Sequence, residues 1–385
     1  MVTDLRLSAA TLLLAMAATS AHGQARDSAA LVTVLGSDTV ALERWVRDGD
    51  RWEAEAVVRS PRTSLRRYTL ELDGAGAMRR FSERWHDAAN PAAPPTRTDV
   101  LEAADGGWVR RVTEGDSTRT ERIAADATAL PFVDLVHWPM EVALGRVAAG
   151  ASRTQPLLAG PRAIPFTLAR TAGGDATITH PMRGPSTARV DAAGRLQSLD
   201  AAQTTRKVVV TRVGWMDVAG AARRWAAADA AGRGMGELSG RGREEAEVGG
   251  ARIVVDYGTP ARRGRDIWGT IVPWGRVWRT GANRATHLST TRDLVLGDPA
   301  RGGLVVPAGE YTLFSIPEAE GGVLIVSRQT GQNGTAYDPA RDLGRVPMRR
   351  VARAEPAERF EISVEPATLR LIWDRSEFVV PFTVR

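Results

Sequence analysis

The stretch RFEISVEPATLRLIWD, residues 359–374, decides the fold of the second half of the chain. Large apolar residues occupy every second position in two runs: Phe360, Ile362 and Val364, then Leu369, Leu371 and Trp373. Successive side chains of a β-strand point to opposite faces of the sheet. This period of two therefore predicts two strands that each bury one face.

Further short segments of strand-like sequence follow from residue 251 onward, at 253–257, 311–316, 323–326 and 378–384. About eight short strands with no long helix between them are typical of a β-sandwich or jelly roll. Pro381 cannot donate a backbone hydrogen bond, so we expect the last strand to be an edge strand or to be bulged.

Residues 26–215 also divide into short alternating segments separated by turn signals. The segments 186–190 and 196–199, on either side of Asp-Ala-Ala-Gly-Arg, have the pattern of a β-hairpin. This repetition predicts a meandering antiparallel sheet. Residues 131–148 differ, because their apolar residues follow the spacing of a helix.

Between these two parts, residues 219–231 are rich in alanine and predict a helix, and residues 232–250 are rich in glycine and charge and predict a linker. The fold predicted for the whole chain is mostly β. Its parts are a signal peptide at 1–25, an antiparallel β-rich domain at 26–215, a helix and linker at 216–250, and a β-sandwich or jelly-roll-like domain at 251–385.

The first 25 residues read as a secretory signal peptide, because the apolar run from Leu7 to Ala21 is followed by small-x-small cleavage sequences. An uncleaved anchor is the alternative, but the run is shorter than the ~20 residues that a membrane span needs. The chain has no cysteine, which excludes disulfides and thiolate metal sites. With no later candidate span, we expect an exported protein, periplasmic or secreted.

The net charge of +6 does not indicate nucleic-acid binding, because 51 basic residues spread along the chain accompany 45 acidic ones. A nucleic-acid binder concentrates its basic residues on one face. Almost all the positive charge is arginine, and Lys207 is the only lysine. Such a bias, with few asparagines, is typical of a GC-rich genome.

Three long motifs stand in the second half: VDYGTPARRGRDIWGTIVPWGRVWRTGANRAT at 255–286, VPAGEYTLFSIP at 306–317 and TGQNGTAYDPARDLGRVPM at 330–348. They resemble the bacterial family of domain of unknown function 2911, as does the later Trp373-Asp374. The resemblance covers roughly residues 237–385. It implies an exported protein and no established activity.

Trp268, Trp274 and Trp278 fall within eleven residues, interleaved with arginines. The cluster suits core packing and ligand stacking equally well, because a cation can stack on an aromatic face in either setting. Trp274 is the best stacking candidate, since a proline and a glycine flank it in a turn. The predicted ligand-binding residues are Tyr257, Arg265, Trp274, Trp278, Arg279 and Asn283.

Two of these residues also have structural explanations. Arg279 can clamp a carboxylate or phosphate with its planar fork. It can equally form an ion pair with Asp266 or Asp374, which is the outcome we favour. Asn283 suits a left-handed turn position.

The leading functional hypothesis is a non-catalytic binding or envelope-interaction module for a polar small molecule, a saccharide or an anionic envelope component. The first alternative is a hydrolase of envelope material that uses a carboxylate pair or His287; its candidate acids are Asp256, Asp266, Glu310 and Asp374. The second is a purely structural protein with a lipid-type cavity in the N-terminal sheet. No zinc-ligand spacing and no Gly-x-Ser-x-Gly elbow is present, so we expect no metal and no cofactor.

Overall fold

The computed structural model describes residues 27–385, so the predicted signal peptide lies outside the described residues. Across residues 27–213 the strands are β1 (Asp27–Leu35), β2 (Asp38–Asp48), β3 (Arg51–Val58), β4 (Ser64–Leu72), β5 (Met78–His86), β6 (Arg97–Ala104), β7 (Gly107–Glu114), β8 (Ser117–Ile123), β9 (Leu130–Pro131), β10 (Ser152–Ala159), β11 (Arg162–Arg170), β12 (Asp175–His180), β13 (Gly184–Val190), β14 (Leu196–Asp200) and β15 (Val209–Val213). The helices are α1 (Trp138–Gly145) and α2 (Val218–Ala230). No helix among the described residues is long and apolar enough to cross a membrane.

The first domain is one sheet with the strand order β8-β7-β6-β5-β4-β3-β2-β1-β15-β14-β13-β12-β11-β10-β9. It consists of two meanders joined where β1 pairs with β15, for example at Val32 and Thr211. Neighbouring strands are antiparallel except for β9 and β10. The predicted antiparallel domain and the β13–β14 hairpin, in which Ala188 pairs with Leu199, are confirmed.

Helix α1 is shorter than the predicted segment 131–148. The residues before it form β9 and an irregular turn in which Leu135 has a positive φ of 65°. The helix begins at Trp138, where the buried Glu43 carboxylate accepts hydrogen bonds from the backbone N–H groups of His137 and Trp138 at 2.9 and 2.8 Å. This carboxylate satisfies donors that a helix start leaves free.

Helix α2 lies where the sequence predicts it. The Asp217 side chain caps it by accepting a hydrogen bond from the Gly220 N–H at 2.8 Å. Its buried residues Val218, Ala221 and Ala222 pack with Val57 of β3 and other residues of the first sheet. The helix therefore belongs to the first domain.

The second domain is a nine-stranded sheet formed by β16 (Ser239–Val248), β17 (Ala251–Pro260), β18 (Thr286–Thr290), β19 (Leu294–Leu296), β20 (Leu304–Val306), β21 (Gly309–Pro317), β22 (Gly321–Ser327), β23 (Asp342–Glu365) and β24 (Thr368–Val384). The strand order is β16-β17-β18-β21-β22-β23-β24-β19-β20. β23 has register shifts on both sides of Ala357. The two halves of the sheet share one core that joins Val255 of β17 to Ile362 of β23 and Leu294 of β19. The predicted β-sandwich is confirmed.

One sequence prediction in this domain is wrong, and a second is only partly right. Residues 239–248, assigned to the linker, form β16 and pair with β17 along their whole length. One face of β16 is exposed and the other is only half-buried, so its sequence has no run of alternating large apolar residues and the strand was missed. β24 as a whole lies between β23 and β19, but its last residues, 382–384, pair with β19 and not with β23. Pro381 is tolerated beyond the last β23–β24 pair, Arg349 with Val379.

A turn of the first domain docks on the second. The Ser37 N–H donates to the Arg263 carbonyl at 2.9 Å, and Asp38 forms an ion pair with the Arg263 guanidinium. Arg263 is buried and has a φ of 52°. Its N–H donates to the Glu358 carboxylate at 2.9 Å, which ties this docking segment to β23.

Candidate functional site

The three tryptophans of the segment between β17 and β18 extend the core of the second domain. Trp278 stacks on Trp373 with ring centroids 6.0 Å apart, and Trp268 meets Trp278 edge-on at 5.7 Å. Trp274 stacks on the outer side of Trp268 at 6.0 Å. The Trp278 N–H and carbonyl both bond to the Ser315 backbone, at 2.7 and 2.9 Å. The cluster is therefore packed, and Trp278 is held rigidly.

A cavity of about 460 Å³ lies beside this cluster, between the two domains. On the first-domain side it is lined by Leu35 and by residues 203–207, in the loop between β14 and β15. On the second-domain side it is lined by residues of the β17–β18 segment and by the loop containing Tyr337. Trp278 forms part of its wall.

Four cationic side chains line the cavity, and no aspartate or glutamate does. One of them, Arg206, forms an ion pair with Asp134, a carboxylate that it shares with Arg183. The other three are Lys207, Arg265 and Arg279, and none of them has an ion-pair partner within residues 27–385. The cavity therefore carries an uncompensated positive charge.

Two of these side chains, Arg265 and Lys207, are held by hydrogen bonds to backbone carbonyls, which do not neutralise their charge. Arg265 donates to the carbonyls of Arg262 and Ala261 at 2.9 and 2.6 Å. The Lys207 ammonium donates to the Ala202 carbonyl at 3.1 Å. The Arg279 guanidinium forms no hydrogen bond to any of the described residues under ordinary distance limits.

The electrostatics agree with this picture. Burial lowers the pKa of Arg279. Burial also lowers the pKa of Lys207, and repulsion from Arg265 and Arg279 lowers it further. Burial lowers the pKa of Arg265 as well. Desolvation and like charge both disfavour the charged forms, and a bound anion would relieve the repulsion.

The structure brings four of the six predicted ligand-binding residues to the cavity: Arg265, Trp278, Arg279 and Asn283. Asn283 has the expected left-handed conformation, with a φ of 63°. The ion pair that we favoured for Arg279 is wrong, because Asp374 pairs with Arg262 at 2.9 Å instead. The other proposed partner, Asp266, is exposed.

Tyr257 and Trp274 do not line this cavity. Tyr257 is buried in the core, where its hydroxyl donates to the Ile362 carbonyl at 3.4 Å and its ring meets Phe360 edge-on. Trp274 faces the other side of the cluster, with the Arg350 guanidinium 5.2 Å from its ring centroid. Sequence proximity placed both residues in the predicted site, but the backbone turns them away from it.

Sequence reasoning missed Lys207 and Tyr337 as lining residues. Lys207 comes from the first domain, 58 residues before Arg265, so no local pattern connects the two. Its only signal was composition, because it is the sole lysine in an arginine-rich chain. Lys207 also has a positive φ of 56°.

The candidate acids of the hydrolase alternative do not converge. Asp256 pairs with Arg243 at 2.8 Å and Asp374 with Arg262. Glu310 is exposed. Within residues 27–385, no three His, Asp or Glu side chains lie close enough together to hold a metal ion.

His287, the alternative catalytic base, lies on β18 opposite Asp256 of β17. Its Nδ1 lies 3.2 Å from the Thr312 hydroxyl. It lines a separate cavity of about 270 Å³, next to Tyr257 and Asn283. A third cavity, of about 70 Å³, lies against strands β11 to β14 of the first sheet.

The fold and this cavity define a two-domain β protein with a cationic site between its domains. Its C-terminal region, residues 239–382, matches the family described as protein of unknown function DUF2911, which confirms the resemblance seen in the sequence. The match begins at the first residue of β16. No curated protein matches the chain.

Two solved structures are similar to parts of the chain. One is a DUF1089 family protein from Pseudomonas aeruginosa, with 14% identity and a TM-score of 0.33, covering 42% of this chain and 90% of that one. The other is a beta-barrel-like protein of domain of unknown function DUF1849 from Brucella abortus, with 12% identity and a TM-score of 0.31, covering 49% and 95%.

Proposed function

We propose that the protein is an exported, non-catalytic binding module that holds a small anionic ligand in the cavity between its two domains. The observation that carries this proposal is the set of three half-buried cations, Lys207, Arg265 and Arg279, in a cavity with no acidic lining residue. Removing an unpaired charge from water costs free energy, and groups in such unfavourable environments cluster at functional sites. The apolar run at residues 7–21 supports export.

The cavity has the size and composition of a small-molecule site. Its volume of about 460 Å³ falls in the range of roughly 300–1,000 Å³ that such sites occupy. Trp278, Ile271 and Phe314 supply an apolar wall. Arg279 supplies a planar fork that can hold two oxygens at once. Asn283 adds an amide at the edge.

These features favour an anion over a neutral saccharide. A neutral sugar would stack on Trp278, but it would leave the three cations without a counter-charge. An anionic group bonded to a flat or apolar body satisfies both the cations and the wall. Charged hydrogen bonds are roughly twice as strong as neutral ones, so the anionic group would supply most of the selectivity.

The test is calorimetric titration of the mature protein with phenyl phosphate and with benzoate. We expect Arg279→Gln to weaken binding of whichever anion binds by about tenfold or more, because a hydrogen bond to a charged group contributes about 1.5–3 kcal/mol. Arg276→Gln is the matched control, since Arg276 is exposed in the same segment and does not line the cavity.

Trp274→Ala is a second control, because Trp274 lies outside the cavity, and we expect it to leave the affinity unchanged. Equal affinities for wild type and Arg279→Gln would place the ligand elsewhere. Absence of binding by both anions would remove the proposed function.

A further inference from the structure

We propose that the ligand's anionic group is a dianion of the phosphate-monoester type, held jointly by Lys207 of the first domain and by Arg265 and Arg279 of the second. This inference rests on the proposed function of the same cavity. It goes further by naming the charge and shape of the recognised group.

The first argument is the charge count. Arg206 already has an ion-pair partner in Asp134, which it shares with Arg183, and the lining then holds three cations without a partner and no carboxylate. A monoanion such as a carboxylate or sulfate ester would leave two cations uncompensated in a partly desolvated space. A phosphate monoester carries a charge of about −1.5 to −2 at neutral pH, so it compensates the cavity more completely.

The second argument is the direction from which the cations approach. Lys207 stands on the β14–β15 loop of one domain, and Arg265 and Arg279 stand on the β17–β18 segment of the other. A carboxylate has two oxygens in one plane, which suits a single guanidinium fork. A phosphate monoester has three terminal oxygens pointing in different directions, so it can accept from donors on both sides.

The third argument is backbone conformation. Lys207, Thr280 and Asn283 all have positive φ values, 56°, 50° and 63°. Residues other than glycine rarely adopt this region, and such conformations cluster at ligand sites because the surroundings must enforce them. Lys207 and Asn283 line the cavity, and Thr280 directly follows the lining residue Arg279. The side chains around the cavity are thus positioned by an unusual backbone.

The experiment compares phenyl phosphate with phenyl sulfate, which have the same ring and a tetrahedral group but differ by one charge at pH 7.5. We expect the phosphate to bind the wild-type protein at least tenfold more tightly. The difference should disappear at pH 5, because the second pKa of a phosphate monoester is about 6 and the dianion is then protonated.

Two variants of Lys207 complete the test. We expect Lys207→Met to reduce the preference for phosphate over sulfate by at least fivefold, and Lys207→Arg to restore it. Binding of phenyl sulfate by Lys207→Met shows that the variant is folded.

Lys207 also offers a direct readout, because it is the only lysine. Phenyl phosphate should slow its reductive methylation, followed by mass spectrometry of the peptide, since a bound anion both shields the amine and favours its protonated form.

The possible outcomes separate the two proposals. Equal affinity for phosphate and sulfate at pH 7.5, with binding still sensitive to Arg279→Gln, would overturn the dianion assignment and leave the binding function intact. An unchanged preference in Lys207→Met would also overturn it. Binding of benzoate without phenyl phosphate or phenyl sulfate would overturn the dianion assignment, whereas failure of all three anions to bind would remove the proposed function itself.

Discussion

Glu141 of α1 is a buried carboxylate that forms an ion pair with Arg212 at 2.8 Å. Burial raises its pKa to about 7, and Arg212 opposes that rise only in part. The folded protein therefore binds a proton between pH 4.5 and 7 that the unfolded chain releases. By linkage, this carboxyl contributes stability that is present below pH 4.5 and is lost as the pH rises to about 7.

We predict that Glu141→Gln, which cannot ionise, will remove this dependence. The free energy of unfolding of the variant relative to wild type should rise from pH 4.5 to pH 8 by about 1–3 kcal/mol. Urea denaturation at four pH values measures the difference, in which the other titrating groups cancel. A difference that stays constant across this range would show that Glu141 does not titrate there.

At the residue scale, the sequence predicted site members only where they share one segment. Trp278, Arg279 and Asn283 lie within six positions, and one irregular segment brings them to the same cavity. The ion pair predicted between Arg279 and Asp374 was wrong, because Asp374 pairs with Arg262 instead. Which arginine an acid pairs with depends on three-dimensional packing, which the sequence does not show. The sequence could not predict that Lys207 lines the same cavity, because contact between two domains leaves no periodic pattern in the sequence of either domain.

The β1–β2 turn is the element that fixes one domain against the other. Gly36 has a φ of 62°, and a Cβ atom there would collide with the Arg263 carbonyl oxygen and lie 2.9 Å from Arg265 Cγ. We predict that Gly36→Ala will push this turn away from the second domain. The Ser37–Arg263 hydrogen bond and the Asp38–Arg263 ion pair would then be weakened.

Gly115→Ala is the matched control for this prediction. Gly115 sits in the β7–β8 turn at a φ of 55°, with nothing within 4 Å of an added Cβ. It therefore reports the backbone strain alone. We expect Gly36→Ala to destabilise the protein by about 1–3 kcal/mol more than Gly115→Ala in thermal unfolding. Equal losses would mean that the turn does not secure the interface.

At the element scale, periodicity succeeded where one face of a strand is buried and failed where neither is. The β23–β24 hairpin shows a period of two because Phe360 and Ile362 face a core. β16 is rich in glycine and charge because one of its faces is exposed and the other is only half-buried. α1 is shorter than its apolar pattern, because Leu135 breaks the backbone and Glu43 defines a later start.

At the scale of the whole molecule, the cavity exists only because the two domains meet. The β14–β15 loop and the β17–β18 segment contribute opposite walls, and neither wall alone collects the three cations. Lys207 on one side of this boundary is repelled by Arg265 and Arg279 on the other, and this repulsion opposes the docking contacts of Arg263. An anion bound in the cavity would attract the cations of both domains and so stabilise the contact between the domains. The size of this stabilisation depends on the concentration of the anion relative to its Kd.

We therefore predict that saturating phenyl phosphate will slow amide hydrogen exchange on both sides of the cavity. Protection should appear in residues 201–208 and in residues 261–285, because both segments line the site. Hydrogen exchange with mass spectrometry measures it, and the distant β7–β8 hairpin at residues 107–123 should not change. Protection confined to one domain would show that the anion binds that domain alone and does not link the two.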